Sequence, residues 1–565
     1  MEERRPSVAD EGHGVPISAR LAMPAPPPLA KILAVAKEPS YASLPLPVSL
    51  LLVATGTWIV CQWTKIVYNL FFHPLRHIPG PRLAAATYLP EFYYDVIKSG
   101  RYTRRIQQMH QQYGPIVRIN PSEVHCSDRR FIEEIYAGGN RKRDKPVHQV
   151  LGSGVAEHAT FSTVSHDVHR MRRGALAKFF SRAQVSHLEP TVRDLASRLC
   201  DKILRVGQEA PFDVTTAYSL FTTDVISGYC LGENLGLIAQ QGWEPNFREP
   251  LYAQLRLVYL FRFIPFLKHA GVAMAMFTRR LSQDMETLFN ALIVDMPNYV
   301  RKAQADHEKG LDSGSTTVFG SLLRSNLPPS EKGLQRMTEE GFSLFAAGTE
   351  TVSWALTVIT YHLLSKPVML KRLSEEIHQV VDETGQVPSW TALEKLPYLG
   401  AVIHEGLRLS YGLASRTSRV PTGEDLVYQG EWTPPGTPSS RADPIPVSYV
   451  IPRGSAIGMS AVIVHHDESI FPDSNAFRPE RWLDEQNRHR KELDRALLAF
   501  SKGSRGCIGI NLAYCELYLL LAMLVVRVFP RMQLYETTES DITYDHDFFN
   551  PFPVWTSKGV RAVVV

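Results

Sequence analysis

The chain has 565 residues, is 44% hydrophobic and 21% charged, and carries a formal charge of +4 with an isoelectric point near 8.6. This is ordinary for a packed globular protein and too mild to argue for nucleic acid; a small basic excess suits an anionic membrane or an acidic redox partner. Six scattered cysteines (Cys61, Cys126, Cys200, Cys230, Cys507, Cys515), with no Cys-x-x-Cys pair, argue against a disulfide framework and a zinc site.

Residues 1–43 contain Met23-Pro24-Ala25-Pro26-Pro27-Pro28 and little periodicity, and are expected to be disordered. From Leu44 to Trp63 the chain is mostly apolar and free of charge. That length reaches the roughly 17–25 residues needed to span a bilayer, and Trp58 and Trp63 suit an interface, so 44–65 is read as a single-pass membrane anchor. Pro45 and Pro47 leave its first turn in question, and a cleaved signal peptide fits badly so far from Met1. Lys31 and Lys37 on one side balance Lys65 and Arg76 on the other, so charge does not orient the span. The proline-rich stretch Phe71 to Pro81 reads as a stiff spacer leading into a catalytic body over 66–565.

Helical spacing marks Glu91 to His110 and Arg182 to Val206, and Ile116 to Ile119 fits a strand. Ser165 to Arg173 crowds cations onto one helix, where His169 and Arg173, at i and i+4, share a face. Leu251 to Leu267 is strongly aromatic and suits either a substrate entrance dipping into a membrane surface or an ordinary core helix. Phe342 to Leu356 is apolar almost all round, hence buried, yet holds Gly348, Thr349, Glu350 and Thr351 at its centre. A local opening of the helix, with threonine hydroxyls bonding back to the backbone, would resolve that conflict. Glu405 and Arg408 share a face of the next helix at i and i+3, and Arg481 follows in Phe477-Arg478-Pro479-Glu480-Arg481-Trp482.

Phe500 to Gly509 is a glycine-loosened loop that presents Cys507, with Arg505 two residues before it, at the start of an apolar helix. Free backbone N–H groups and the helix dipole would lower the thiol pKa, so Cys507 is expected to be a thiolate. Gly503, Gly506 and Gly509 let the backbone lie against a large planar group, and Arg505 supplies a donor to an anion on it. The group implied is haem.

Phe500, Gly503, Arg505, Cys507 and Gly509 match the Phe-x-x-Gly-x-Arg-x-Cys-x-Gly loop, and on them the chain resembles the cytochrome P450 monooxygenases. The resemblance implies a mainly α fold with a small β portion, haem b with Cys507 as axial ligand to iron, and oxygen activation. It further implies that His169, Arg173 and Arg419 contact the haem propionates, and that Ala347-Gly348-Thr349-Glu350-Thr351 is the oxygen-binding signature. Thr351 would order dioxygen and a water there, and Glu350 would take part in proton delivery. Glu405, Arg408 and Arg481 would form a buried structural ion network. Electrons would come from NADPH through cytochrome P450 reductase, and the enzyme would sit in the endoplasmic reticulum membrane with its catalytic domain in the cytosol.

Stretches Tyr68 to Pro74, Arg408 to Arg416 and Val462 to Phe471 are similar to the fungal secondary-metabolism branch near trichodiene oxygenases, which implies a lipophilic terpenoid or polyketide substrate. The chain departs from the family where Glu431 to Thr437 and Tyr449 to Ser455 both look like one strand-turn; Pro438 to Val447 between them reads as an insertion. Two other functions stay open, an oxygen-independent haem-thiolate isomerase or dehydratase and a non-enzymatic haem-binding membrane protein. Retention of both Glu350 and Thr351 speaks against the first.

Overall fold

A computed structural model describes residues 46–268, 286, 289–311, 317–434 and 444–565. The first 43 residues and most of the expected insertion lie outside the described residues. The chain divides into two compact units, Met1–Thr64 and Lys65–Val565. Helix α1 (Leu46–Val67) starts with Pro47 in its first turn, where a missing N–H costs nothing. It continues through a π-helical turn to Phe72, past the expected end at 65, and none of its most apolar window is buried. By length and composition it can cross a membrane. Two other helices reach similar apolarity, but burial inside the body accounts for theirs.

The body is mainly helical with a small β portion. Its core is organised on α7 (Leu334–Ser365), which lies against α5 (Val214–Leu231) along a polar seam. There the Thr222 hydroxyl donates to the Thr349 carbonyl at 2.6 Å, and the Tyr218 and Thr360 hydroxyls bond at 2.8 Å. Gly348 allows that approach, because a Cβ on it would sit 2.6 Å from Ile226 Cγ1. Helix α7 is unbroken. The threonine hydroxyls bond back as expected, Thr351 and Thr349 donating to the carbonyls of Ala347 and Phe345, both at 3.0 Å, but the expected opening is absent.

Around this centre stand α3 (His166–Ala177) and α4 (Arg182–Val206), capped by Ser165 and Ser181, with α6 (Arg248–Phe263), α8 (Pro397–Ser410) and α9 (Ile510–Met523). The reading of one helix over Glu91 to His110 is corrected. A short helix and π turn end at Ile97, and α2 (Tyr102–Tyr113) begins afresh. Ser99 and Gly100 between them take φ of 54° and 75°, and a Cβ on Gly100 would fall 1.8 Å from the Asp547 carbonyl. The break is therefore where the C-terminal hairpin His546–Phe548 with Asn550–Phe552 docks.

A five-stranded sheet runs β1 (Ile116–Asn120), β2 (Glu123–Cys126), β7 (Ala456–Met459), β4 (Thr417–Pro421), β3 (Arg143–Asp144), parallel only at β2 with β7. Strands β5 (Leu426–Trp432) and β6 (Ile445–Ile451) form a separate hairpin in which Trp432 faces Ile445. This corrects the two-copies reading, since the repeated segments are partners in one hairpin and 445–447 belong to its second strand. On α6, Tyr252 and Tyr259 turn inward onto Phe548 and Phe552, while Leu257 and Phe266 beyond it are exposed. The inward face of this stretch is thus core packing, one of its two expected roles.

Candidate functional site

The loop before α9 is closed by its own backbone. The Cys507 N–H donates to the Phe500 carbonyl at 2.8 Å, and Gly506 N–H to Gly503 at 3.1 Å. Gly503 has φ of 70° and passes so close to the neighbouring chain that a Cβ would lie 2.0 Å from the Tyr136 carbonyl. By contrast, a Cβ on Gly509 would meet nothing within 4 Å, so that side of the loop faces open space. The Phe500 ring packs beside Tyr514, 5.2 Å between centroids.

The thiol of Cys507 is enclosed by protein yet keeps accessible surface. Burial pushes its pKa up, against the smaller pull of the Gly509 N–H and of Arg173. In the protein alone, desolvation thus raises this thiol by more than those two groups lower it, the opposite direction to the one expected from the helix terminus.

Arg505 spends its guanidinium on three carbonyls, those of Arg143, Thr163 and Val164, at 2.6–2.9 Å. Arg173 donates to the Gly506 carbonyl at 2.7 Å, and Arg419 to Ser418 and to the Ser501 hydroxyl. These three, with Lys145, crowd onto His169, whose pKa falls to about 2 through burial and their four charges. Among the described residues none of the five is in an ion pair, and His169 Nδ1 is buried with no hydrogen-bond partner. Burial and the neighbouring Arg419 and Arg505 likewise push Lys145 well below the usual lysine range. So much uncompensated positive charge is costly unless an anionic group enters. Two propionates beside an accessible thiol and a glycine-bared face are that group, and haem fits. Sequence reasoning missed Lys145, because nothing in Lys-Pro-Val marks it; only the β3 end and the start of the following loop bring it there.

Thr351, half-buried, and Ala347, exposed, lie one turn apart on the same side of the central part of this helix. The threonine proton is committed to the helix, which leaves its oxygen lone pairs facing outward. Glu350 is buried on the same helix and interacts with Arg248 and Tyr252 of α6.

Glu405, Arg408 and Arg481 are brought together. Arg408 grips Glu405 bidentately at 2.8 and 2.9 Å, and Arg481 Nε adds a bond of 3.1 Å, with Glu405 and Arg408 fully buried. The sequence did not disclose the remaining partners. The Trp482 indole and the Arg478 N–H also donate to Glu405, both at 2.9 Å, and Arg408 continues to the carbonyls of His465 and Ser474.

Beside it, His465 Nδ1–H donates to the Arg408 carbonyl at 2.7 Å and Nε2 accepts the Leu498 N–H at 2.8 Å. Burial lowers this histidine from 6.5 to about 3. The unfolded chain therefore binds a proton below pH 6.5 that the native chain refuses until about pH 3. Thermal stability is expected to be flat above pH 7 and to fall as pH drops through that window. In a melting series the decline should be shallower for His465→Gln, whose amide can keep both bonds.

A glycine loop with an accessible thiol among basic side chains outside any ion pair, in a body built on a long core helix, defines a haem-thiolate protein. The chain belongs to the cytochrome P450 family, whose sequence model, described as Cytochrome P450, matches residues 81–438 and 441–542. It is 39% identical over 461 residues to cytochrome P450 monooxygenase ppzE of Metarhizium majus, covering 80% of this chain and 94% of that one. It is 36% identical over 522 residues to tryptophan 6-hydroxylase fscE of Fusarium equiseti, covering 90% and 95%. With N-acetyltryptophan 6-hydroxylase ivoC of Emericella nidulans it shares 35% over 526 residues, covering 92% and 96%. The protein is an oxidoreductase that incorporates molecular oxygen, and its family uses a haem-thiolate cofactor, a redox partner and small-molecule substrates.

Proposed function

We propose that this monooxygenase holds haem b through Cys507, and inserts one oxygen atom into a lipophilic secondary-metabolite intermediate. It draws electrons from NADPH through cytochrome P450 reductase, anchored by α1 in the endoplasmic reticulum membrane with its body in the cytosol. The observation that carries the cofactor assignment is the cluster of Lys145, His169, Arg173, Arg419 and Arg505, without a carboxylate in ion-pair reach, beside the accessible Cys507. Bound haem would supply the oxygen-activating chemistry, which a protein side chain cannot.

The chain's own residues bind and position. Gly509 leaves room for the planar group, Gly503 holds the loop against the Tyr136 segment, and neutral His169 with the four basic side chains around it would receive the propionates. Thr351 presents an acceptor oxygen to a water on the open side of α7. Glu350 would take part in moving a proton, a role supported by its burial beside Arg248 and Tyr252. The substrate class is a terpenoid or polyketide on the resemblance of the motifs. A second reading, an indole-bearing amino-acid derivative, is favoured by the tryptophan and N-acetyltryptophan hydroxylase activities for which the Fusarium and Emericella relatives are named.

Membranes from a host expressing the chain with a reductase should give a thiolate-type ferrous carbon monoxide band. Metabolites accumulated by a deletion strain should be converted when fed to those membranes with NADPH. A band without any NADPH-dependent product would turn the reading toward an oxygen-independent haem protein. Thr351→Val, isosteric but without the hydroxyl, is expected to keep the band and NADPH consumption while the product formed per NADPH drops; simultaneous assay of both shows the split.

A further inference from the structure

Away from the thiol loop, His404, His489 and Asp494 bring one ligand atom each to within 4.8 Å of the other two. His404 sits on α8 immediately before Glu405; the other two come from the segment that leads to Phe500. The tautomer of His404 is fixed, because its Nδ1–H donates to the Gly400 carbonyl at 2.7 Å. Its Nε2 is left facing Asp494 Oδ1, 4.0 Å away. His489 Nε2 lies 2.7 Å from the same oxygen, with the two imidazole rings 4.5 Å apart. Two imidazole nitrogens and a carboxylate oxygen thus face one another across a small gap.

A backbone carbonyl that orients the far nitrogen of an imidazole is the usual outer-shell arrangement of a histidine metal ligand. Tetrahedral ligands at zinc bond lengths of about 2.0–2.2 Å lie about 3.3–3.6 Å apart, and the 2.7 and 4.0 Å separations bracket that value. Trp482, parallel to His489 at 6.1 Å, and Tyr514, 6.0 Å from His404, wall the inner side with aromatic surface. The carboxylate of Asp494 is 42% exposed, which leaves a fourth position open to water. Lys502 opposes a cation here, but its ammonium is drawn aside to the Asp494 carbonyl at 2.7 Å.

We propose that His404, His489 and Asp494 form a binding site for a divalent transition metal of the zinc class. Through it the helix bearing Glu405 is pinned to the segment that enters the thiol loop. The site does not depend on the haem assignment, since its ligands lie outside the cation cluster and the loop itself.

The test uses the full-length, haem-loaded chain in detergent, purified without a histidine tag and dialysed against micromolar zinc chloride. One zinc per chain is expected, with two imidazoles in the zinc-edge X-ray absorption spectrum. His489→Ala and Asp494→Asn should each weaken zinc binding more than about tenfold. Zinc at about a hundredfold excess over its Kd should raise the melting temperature of the parent chain by about 2–3 °C, and that of the variants by less. An unchanged carbon monoxide band certifies that the variants are folded. Zinc uptake equal in parent and variants, no uptake in the parent, or fewer than two imidazoles around the bound zinc would overturn the site.

Discussion

Cys507→Ala is expected to abolish turnover while leaving the fold in place. Its N–H bond to the Phe500 carbonyl is main-chain, and the loop is held independently by Arg505 on three carbonyls and by Gly503 against Tyr136. What the substitution removes is the one accessible thiol of the body, the other four body cysteines being buried. Circular dichroism and melting should change little, whereas the thiolate-type carbon monoxide band and all NADPH-dependent product should vanish. An unchanged band would place the iron ligand elsewhere. Because burial holds this thiol above the usual cysteine range, apoprotein should also react slowly with thiol reagents at neutral pH, as ionisation is coupled to the bound cation.

Glu405→Ala is expected to have the largest effect on stability. Arg408 is fully buried, and among the described residues Glu405 is its only carboxylate partner. Removing that carboxylate leaves Arg408 uncompensated, and it also strands the Trp482 indole and the Arg478 N–H, so a cost of about 3–5 kcal/mol follows. The reverse change, Arg408→Ala, should cost less, because Glu405 keeps Arg481, Trp482 and the Arg478 N–H. Chemical denaturation with haem absorbance as a second probe orders the two variants. If Arg408→Ala proved the more damaging, the carbonyls of His465, Ser474 and Ala476 would be the main customers of the network, and Glu405 its accessory.

The thiol loop could be read in the sequence because its requirements are local. A positive φ at Gly503, a bare face at Gly509 and a sulfur before a helix are set within ten residues. Glu405 and Arg408 were legible for the same reason, being one turn apart. Their other partners were not, since Trp482 and His465 lie some 60–80 residues further along the chain. The opening expected in α7 failed because residue-by-residue propensity ignores α5, whose Thr222 takes up the Thr349 carbonyl and whose Ile226 fits against Gly348. The helix expected from Glu91 to His110 broke for a parallel reason, with the C-terminal hairpin landing on Gly100 from more than 400 residues away.

By itself the sequence determined the class of protein, the sulfur, the buried core helix and the apolar N-terminal helix, because each depends on spacing within a turn or two. Only the tertiary structure decided the direction in which that thiol's pKa moves, the gathering of Lys145, Arg173, Arg419 and Arg505 around His169 with no ion pair among the described residues, and the meeting of His404 with His489 and Asp494. Those properties arise from charge and desolvation summed over groups far apart in the chain, and such sums exist only once the chain has packed.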